Sequence, residues 1–370
     1  MDSDRTKFIH PSELVAALAQ TRRHCLEILS GHEAGRRFAV PAERLSIGRT
    51  PPADVVLPDS DISRLHCRVD FADGELFVTD LQSTNGCRIE GERVDGKARL
   101  ALGATLKVGN RLLKHEVLSS TQWRRHEESE RDLATAAGYV SALLPPPLVD
   151  GPIRTEWVYE PNAKLGGDAF GYGFLSPTRF ILYLIDVSGH GAGAAMHSVA
   201  VMNLLRQRAL PGTDMADPAA VLATLNTLYP MDQHAEMYFT MWYGVYDLET
   251  RRLEYAGAGH HPAYVVSASR ADVAALGTRN SMIGAMPRRT FKAASAYIPP
   301  GTSLYMFSDG VFEIVTSAGA QWGLNDMLPE LLAGRRGPLG ETDRLLQFVR
   351  ENAGGGEFDD DFTLVLLTFK

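Results

Sequence analysis

Residues 180–196 read FILYLIDVSGHGAGAAM, and this stretch decides the fold of the C-terminal half of the chain. Six apolar residues in succession are followed by Asp186, which predicts a buried strand that ends in an acid. Gly189 and Gly191 indicate a turn, and the small and apolar residues that follow are typical of a helix. The pattern therefore predicts a carboxylate at the end of a buried strand, beside the start of a helix.

The preceding strand carries a second acid at the same end. Asp168 directly precedes the strand-like run AFGYGFL, and Ser176, Pro177 and Thr178 separate that run from the strand ending in Asp186. Ser-Pro-Thr is a turn signal, so the two runs are expected to pair as an antiparallel hairpin about Pro177. Asp168 and Asp186 would then lie opposite each other at the open end of the hairpin.

Two strands near the C-terminus repeat this arrangement. Asp309 follows the run SLYMFS, while Asp360 and Asp361 immediately precede FTLVLLTF. Each motif alone has a plain interpretation, because SDG is often a turn and DDD is often a solvated run. Carboxylates collected at one edge of a buried sheet need a compensating charge, and an all-oxygen set suits magnesium or manganese. Taken in order, GGD, DVSGHG, SDG and DDxT therefore predict a divalent-metal site.

These motifs resemble those of the metal-dependent protein phosphatases (the PPM family), in the bacterial branch of the sporulation stage II E phosphatase and the partner-switching stress phosphatases. The resemblance covers residues 144–370, and the matched stretches are LLPPPL, KLGGD, LIDVSGHGAGAAM, AGHHPA, PPGTSLYMFSDGVFE and DDDFTLVLL. It implies an α+β, four-layer fold in which an antiparallel β-sandwich is flanked by helices.

The resemblance also implies the cofactors, two divalent cations, Mn²⁺ or Mg²⁺, and the residues that bind them. One cation is expected on Asp168 and Asp186, and the other on Asp186, Asp309 and Asp360, with the backbone carbonyl of Val187 completing the set. Asp360 is preferred to Asp361 because it is the first acid of DDxT. In such sites a metal-activated water attacks phosphorus, so no protein nucleophile is implied.

Two positions depart from the pattern of the resembling family. The family often has an acid shortly after GGD, where this chain has Gly171, and it usually has Asn where this chain has His261. For His260 and His261 a loop or packing role is favoured over proton transfer. The Gly189-x-Gly191-x-x-Ala194 pattern also mimics a dinucleotide fingerprint, but no second strand with a ribose-binding acid follows it.

Short strand-like runs bounded by turn residues fill residues 25–118 and predict an all-β sandwich. The segments LSIGR, DSDISRLHCRV and DLQSTNGCRI resemble the forkhead-associated (FHA) domain, which binds phosphothreonine through its loops. The phosphopeptide-binding residues that the resemblance implies are Arg49, Ser63, Arg64, Thr84 and Asn85. Gly48, His66 and Gly86 are expected to be structural. An FHA fold that has lost phosphate binding is the alternative interpretation.

The composition changes divide the chain into four parts: an N-terminal helical extension (1–24), an FHA domain (25–118), a helical linker (119–147) and a phosphatase domain (148–370). The helix predicted from residue 119 to residue 144 ends at three prolines and carries one apolar stripe. Leu133, Ala136, Ala137, Val140, Leu143 and Leu144 form this stripe. It could pack on its own phosphatase domain or form a parallel homodimer contact, and the short heptad run does not decide between them.

The formal net charge of −8 disfavours a general nucleic-acid binder. We see no signal peptide, and the apolar runs are too short to span a membrane. Three cysteines without a CxxC spacing read as reduced thiols. Together these features predict a cytoplasmic protein with neither nucleic-acid nor membrane partners.

The predicted function is that of a protein serine/threonine phosphatase in bacterial signalling. Its expected partners are a phosphorylated protein substrate, such as a STAS-domain anti-anti-sigma factor or a kinase-pathway protein, and a phosphothreonine protein at the FHA domain. The alternative is an FHA adaptor or scaffold whose phosphatase domain is weak or inactive.

Overall fold

The computed structural model describes residues 22–30, 34–41, 44–59, 61–162, 164–316, 319–334, 338–353 and 358–370. Contacts within the chain divide it into two compact units, Met1–Asp132 and Leu133–Lys370. In the described ranges, no helix combines the length and the apolar character needed to cross a membrane.

Eleven strands are described in the N-terminal unit. They are β1 (Arg22–Ile28), β2 (Arg37–Ala39), β3 (Arg44–Gly48), β4 (Val55–Val56), β5 (Cys67–Ala72), β6 (Glu75–Asp80), β7 (Cys87–Ile89), β8 (Glu92–Arg93), β9 (Lys97–Leu100), β10 (Thr105–Val108) and β11 (Arg111–Ser119). One sheet has the order β2-β1-β11-β10-β7-β8, and the other has the order β4-β3-β5-β6-β9. Alternate residues of the strands are buried, and the two sheets share one apolar core, so the predicted β-sandwich is confirmed.

The start of this sandwich corrects one boundary predicted from the sequence. Residues 22–24 were assigned to a helical extension, but Arg22, Arg23 and His24 begin β1 and pair with Ser119, Leu118 and Val117 of β11. The apolar residues earlier in the sequence recur at helical spacing, but pairing with the long strand β11 makes residues 22–24 a strand. The rest of the predicted extension, residues 1–21, lies outside the described residues.

A single helix, α1 (Ser120–Leu143), follows β11 directly. Val140 is buried in a cluster with Leu165 and Ala195, and Leu133, Ala136 and Ala137 pack against the same cluster. The apolar stripe therefore packs on its own chain, which is the first of the two alternatives that the sequence left open. The homodimer predicted through this helix stays a prediction.

The C-terminal unit contains ten strands, four further α-helices and two short 3₁₀ helices, Met231–Gln233 and Asp309–Val311, in its described residues. The strands and α-helices are β12 (Ile153–Glu160), β13 (Ala169–Phe174), β14 (Arg179–Val187), α2 (Ala192–Arg206), α3 (Pro218–Leu228), β15 (Phe239–Asp247), β16 (Arg252–Ala258), β17 (Ala263–Val266), β18 (Val273–Leu276), β19 (Ala294–Tyr297), β20 (Ser303–Phe307), α4 (Leu324–Ala333), α5 (Glu341–Asn352) and β21 (Phe362–Phe369). The side chain of Asp217 accepts hydrogen bonds from the N–H groups of Ala219 and Ala220, which caps the N-terminus of α3.

Two antiparallel sheets form the centre of this unit, in the orders β13-β14-β15-β16-β19 and β12-β21-β20-β17-β18. Their facing side chains share one core. Helices α2 and α3 contact the first sheet, and α5 contacts the second. Because β14 lies between the other sheet and α2, nearly all of its residues are buried, which explains the continuous apolar run in its sequence.

Candidate functional site

The hairpin of β13 and β14 places two acids at its open end. Ala169 lies opposite Ile185 and Phe174 lies opposite Phe180, so the predicted pairing about Pro177 is confirmed. Asp168 and Asp186 are the next residues in this register. The Asp168 side chain is 2% exposed, and its Oδ2 has no hydrogen-bond partner among the described residues.

The paired strands β20 and β21 place further acids at one end of their sheet, as the sequence predicted. Phe307 lies opposite Leu364, and the Ser308 N–H donates to the Thr363 carbonyl at 2.9 Å. The Ser308 hydroxyl donates to the Asp361 carbonyl, also at 2.9 Å. Asp309 therefore follows one strand where Asp360 and Asp361 precede the other.

Asp361 has a role that the sequence reasoning missed. It is buried, and its carboxylate accepts hydrogen bonds from the N–H groups of Asn162 (2.8 Å), Gly167 (2.6 Å) and Asp168 (3.2 Å). The side chain thus fixes the loop that carries Asp168. Two adjacent glycines before Asp168 were the available signal, because they indicate a close backbone approach.

Gly166 and Gly167 are needed for that approach. A Cβ at Gly166 would lie 2.5 Å from Oδ2 of Asp361, and a Cβ at Gly167 would lie 2.7 Å from the carbonyl oxygen of Val187. The Val187 carbonyl therefore lies beside the loop that ends in Asp168. This arrangement brings the backbone oxygen predicted as a ligand close to the predicted acids.

The carboxylates at this edge raise each other's pKa values. Burial and then the charges of Asp309, Asp360 and Asp361 together raise the pKa of Asp186 to about 7. Burial and then the charges of Asp360 and Glu313 together raise the pKa of Asp309 to about 6. The pKa of Asp168 is held well above its ordinary value by burial and then by Asp186 and Asp361. A bound cation would relieve this repulsion.

The donor chemistry fits hard divalent cations. The edge offers carboxylate oxygens and one backbone carbonyl, and the unpartnered Oδ2 of Asp168 is a buried acceptor without a donor. As the side chains stand in the described ranges, no three His, Cys, Asp or Glu residues are arranged to hold one metal ion together. The predicted ligand sets therefore stay predictions.

His260 and His261 have contacts that suit the packing role favoured above. The Nδ1 of His260 lies 2.8 Å from the Thr240 hydroxyl, and its Nε2 lies 3.2 Å from the Phe307 carbonyl. Burial, followed by the neighbouring His261, holds the pKa of His260 well below its ordinary value. His261 packs its ring at 4.8 Å from that of Phe307.

Gly171, the first departure from the family pattern, is explained by packing. Gly171 lies directly opposite Tyr183 across the hairpin, and a Cβ there would overlap the buried phenol ring and hydroxyl of Tyr183. We expect Gly171→Asp to lower the free energy of unfolding by about 1–3 kcal/mol, the usual cost of overpacking. Urea unfolding of the full chain measures this loss.

Gly173 provides the matched control for this substitution. It lies on the same strand, and no other group would come within 4 Å of a Cβ at that position. Gly173→Asp should therefore change stability much less. Equal losses for the two variants would contradict the packing explanation.

All five residues predicted to bind phosphopeptide line one cavity of about 650 Å³ in the N-terminal unit: Arg49, Ser63, Arg64, Thr84 and Asn85. The Thr84 N–H donates to the Ser63 hydroxyl at 3.0 Å, and the Asn85 side chain donates to the Asp61 carbonyl at 2.7 Å. The Arg49 N–H donates to the Ser63 carbonyl at 2.9 Å, which joins the loops around the cavity.

The loops of this cavity rest on the residues expected to be structural. Buried His66 accepts from the Ser63 N–H at 3.0 Å through Nδ1, and its Nε2 lies 3.3 Å from the Gly86 carbonyl. A Cβ at Gly48 would overlap the Arg64 carbonyl, and Gly86 has a φ of 72°. These contacts hold the hydroxyl, amide and guanidinium donors around one opening.

Known proteins resemble each unit separately. Phosphoserine phosphatase RsbP of Bacillus subtilis is 25% identical over 193 residues, which cover 51% of this chain and 47% of RsbP. The FHA domain-containing protein FhaB of Mycobacterium tuberculosis is 31% identical over 94 residues, which cover 25% of this chain and 61% of FhaB. The chain therefore spans about half to three fifths of the length of these relatives.

Fold similarity agrees with the sequence matches. The SiaA PP2C domain of Pseudomonas aeruginosa has a TM-score of 0.56 at 18% identity, covering 66% of this chain and 99% of that domain. The C-terminal unit thus has the PP2C phosphatase fold, and the N-terminal unit is an FHA-like β-sandwich, as predicted from the resemblance.

Two family models match the chain. The model described as the cytoplasmic domain of an inner membrane component of T3SS matches residues 27–116. The model for stage II sporulation protein E (SpoIIE) matches residues 176–370, which is more than half of the 370 residues. The chain therefore belongs to the stage II sporulation protein E family.

Proposed function

We propose that the chain is a divalent-metal-dependent phosphatase that hydrolyses phosphoserine or phosphothreonine on another protein. Residues 148–370 would form the phosphatase domain, and residues 25–118 would form a domain that binds phosphothreonine. The observation that carries the proposal is the edge of the sandwich where five carboxylates meet, one of them with a buried, unpartnered oxygen. The family membership supports the same activity.

Each acid at the edge has a distinct part in the proposal. Asp168, Asp186, Asp309 and Asp360, with the Val187 carbonyl, would hold two cations, Mn²⁺ or Mg²⁺. Such cations, when bound, activate water and orient phosphoryl oxygens.

Asp361 would act differently from the proposed ligands. Its carboxylate already accepts three backbone N–H bonds, so it holds the loop of Asp168 in place. No cysteine is needed as a nucleophile, since Cys25, Cys67 and Cys87 are all buried in the N-terminal unit.

The N-terminal cavity supports the proposed phosphothreonine binding. Arg49 offers a fork of donors that matches a phosphate group, and Ser63 and Thr84 offer hydroxyls. Asn85 and Arg64 lie at the same opening. The expected ligand is a phosphothreonine segment of a partner protein.

The substrate is proposed from similarity to relatives. RsbP is named a phosphoserine phosphatase, and on this basis we propose a phosphorylated signalling protein as substrate. A STAS-domain anti-anti-sigma factor, implied by the resemblance in the sequence, is the specific candidate.

The test is release of inorganic phosphate from a phosphoserine or phosphothreonine protein by the full chain, compared with Asp309→Asn. Release by the wild type but not by the variant supports the enzyme. If neither protein releases phosphate with either metal, while phosphothreonine peptides still bind, the scaffold alternative replaces it.

A further inference from the structure

Three basic residues form a row across the exposed face of one sheet in the N-terminal unit. Lys107 of β10 lies directly opposite Arg88 of β7, and Arg88 lies directly opposite Arg93 of β8. Residues directly opposite on antiparallel strands present their side chains on the same face. All three residues are exposed. We name Arg93, Arg88 and Lys107 the basic row.

Like charges directly opposite each other on neighbouring strands destabilise the sheet, because side chains in this register interact most strongly. Among the ion pairs between described residues, none includes a member of the basic row. Arg88 donates one hydrogen bond to the Gly91 carbonyl at 3.1 Å, a neutral acceptor. The row is therefore a concentration of positive charge in a chain whose formal net charge is −8.

The basic row lies next to the proposed phosphothreonine cavity. Arg88 and Lys107 line a second cavity of about 290 Å³, and Asp61 and Asn85 line both cavities. A Cβ at Gly86 would lie 3.3 Å from Nε of Arg93, so this guanidinium lies over the loop that carries Thr84 and Asn85. One acid, Asp61, lines the second cavity together with the two basic residues Arg88 and Lys107.

We propose that the basic row binds acidic side chains of the phosphorylated partner, next to the phosphothreonine that the first cavity holds. The chain then selects a phosphothreonine segment with Asp or Glu a few residues away, on the side that reaches the second cavity. This inference rests on the proposed phosphothreonine binding and adds a sequence preference to it. Attraction between the row and the peptide also makes binding more sensitive to salt than phosphate recognition alone.

The test uses a labelled phosphothreonine peptide whose other residues are uncharged, and a series in which one Asp is moved through each flanking position. Fluorescence anisotropy with the full chain measures each affinity. We expect Asp at one or two neighbouring positions to tighten binding about two- to fivefold at low salt, the scale of an exposed ion pair. This gain should shrink as salt is added.

The variant Arg88→Gln/Lys107→Gln should lose this gain and keep its affinity for the uncharged phosphopeptide within about twofold. A matched control removes two charges from the other sheet: Lys97→Gln/Arg99→Gln, both exposed on β9, should keep the gain. The single variant Lys107→Gln, at an exposed position, should show part of the loss.

The outcomes separate the inference from the function on which it rests. If the uncharged phosphopeptide binds no better than its unphosphorylated form, the proposed phosphothreonine binding fails. If it binds but no Asp position tightens binding, the inference alone is overturned. A gain that survives in Arg88→Gln/Lys107→Gln, or that disappears equally in the β9 control, also overturns it.

Discussion

Asp186→Asn is expected to abolish both turnover and the stabilisation of the protein by Mn²⁺ or Mg²⁺. Asp186 is the acid proposed to contact both cations, and its pKa is raised by burial and then by the charges of Asp309, Asp360 and Asp361. Asparagine keeps the shape of the side chain and removes its charge, so the fold should persist while the cations lose their shared ligand. We expect turnover to fall at least about a thousandfold, comparable to the loss of a central electrostatic contact in other active sites.

The pH dependence of the metal-free protein provides a second measurement on this variant. Because the folded-state pKa values of Asp186 and Asp309 are raised to about 7 and about 6, the folded protein holds more protons than the unfolded chain between about pH 4 and pH 7. The stability of the metal-free protein should therefore fall as the pH rises through this range. A divalent cation at a hundred times its dissociation constant should restore about 2.7 kcal/mol at pH 8.

Thermal unfolding at pH 5 and pH 8, with and without metal, measures this effect. Asp186→Asn should be more stable than the wild type in chelator at pH 8, because it has one charge fewer in the cluster, and it should not respond to metal. Asp150→Asn, the same change at an exposed loop residue, serves as the control and should behave as the wild type. A metal response in Asp186→Asn equal to that of the wild type would contradict the proposed ligand.

Arg49→Ala is expected to remove the binding of phosphothreonine peptides. Arg49 lines the cavity with Ser63 and Thr84, and a charge-assisted hydrogen bond to phosphate contributes about 1.5–3 kcal/mol, or roughly a 10- to 150-fold change in affinity. Fluorescence anisotropy with a phosphothreonine peptide measures the loss. Hydrolysis of a small phosphate ester should be unchanged, because Arg49 lies in the other unit.

Arg99→Ala removes an exposed arginine of β9 that does not line the cavity, and it is the matched control for Arg49→Ala. It should bind the phosphopeptide as the wild type does. If the wild type binds phosphorylated and unphosphorylated peptides equally well, the N-terminal unit is an ordinary protein-interaction domain, and the phosphate-reading role is wrong.

The parts of the fold that the sequence predicted are those governed by local signals. The hairpin about Pro177 was predictable because a turn signal separates two apolar runs. Centring the turn on Pro177 also predicted the register, in which Asp168 and Asp186 lie opposite each other. Strands with a weaker pattern were not identified. Strand β12 alternates charged and apolar residues over a short stretch, and β18 and β19 are only four residues long with several alanines.

The remaining features depend on contacts between distant residues. The sequence placed Asp360 and Asp361 side by side, but only the packing of the Gly166–Gly167 loop shows that Asp361 binds backbone N–H groups. The spacing of the apolar stripe on α1 was equally compatible with packing on its own chain and with a homodimer contact. The contact between the stripe and Leu165 favours packing on its own chain. The sequence did not predict the basic row, because its three residues come together only through the register of three paired strands.

Phosphate release by the wild-type full chain, measured across a titration of Mn²⁺ and Mg²⁺ after exhaustive chelation, tests the central claim most directly. The substrate is a phosphothreonine peptide or a small phosphate ester at fixed pH. We predict no release in chelator, a rise with either or both cations, and a return to zero when chelator is added again. Release that continues undiminished after exhaustive chelation would contradict a metal-dependent phosphatase built on these carboxylates.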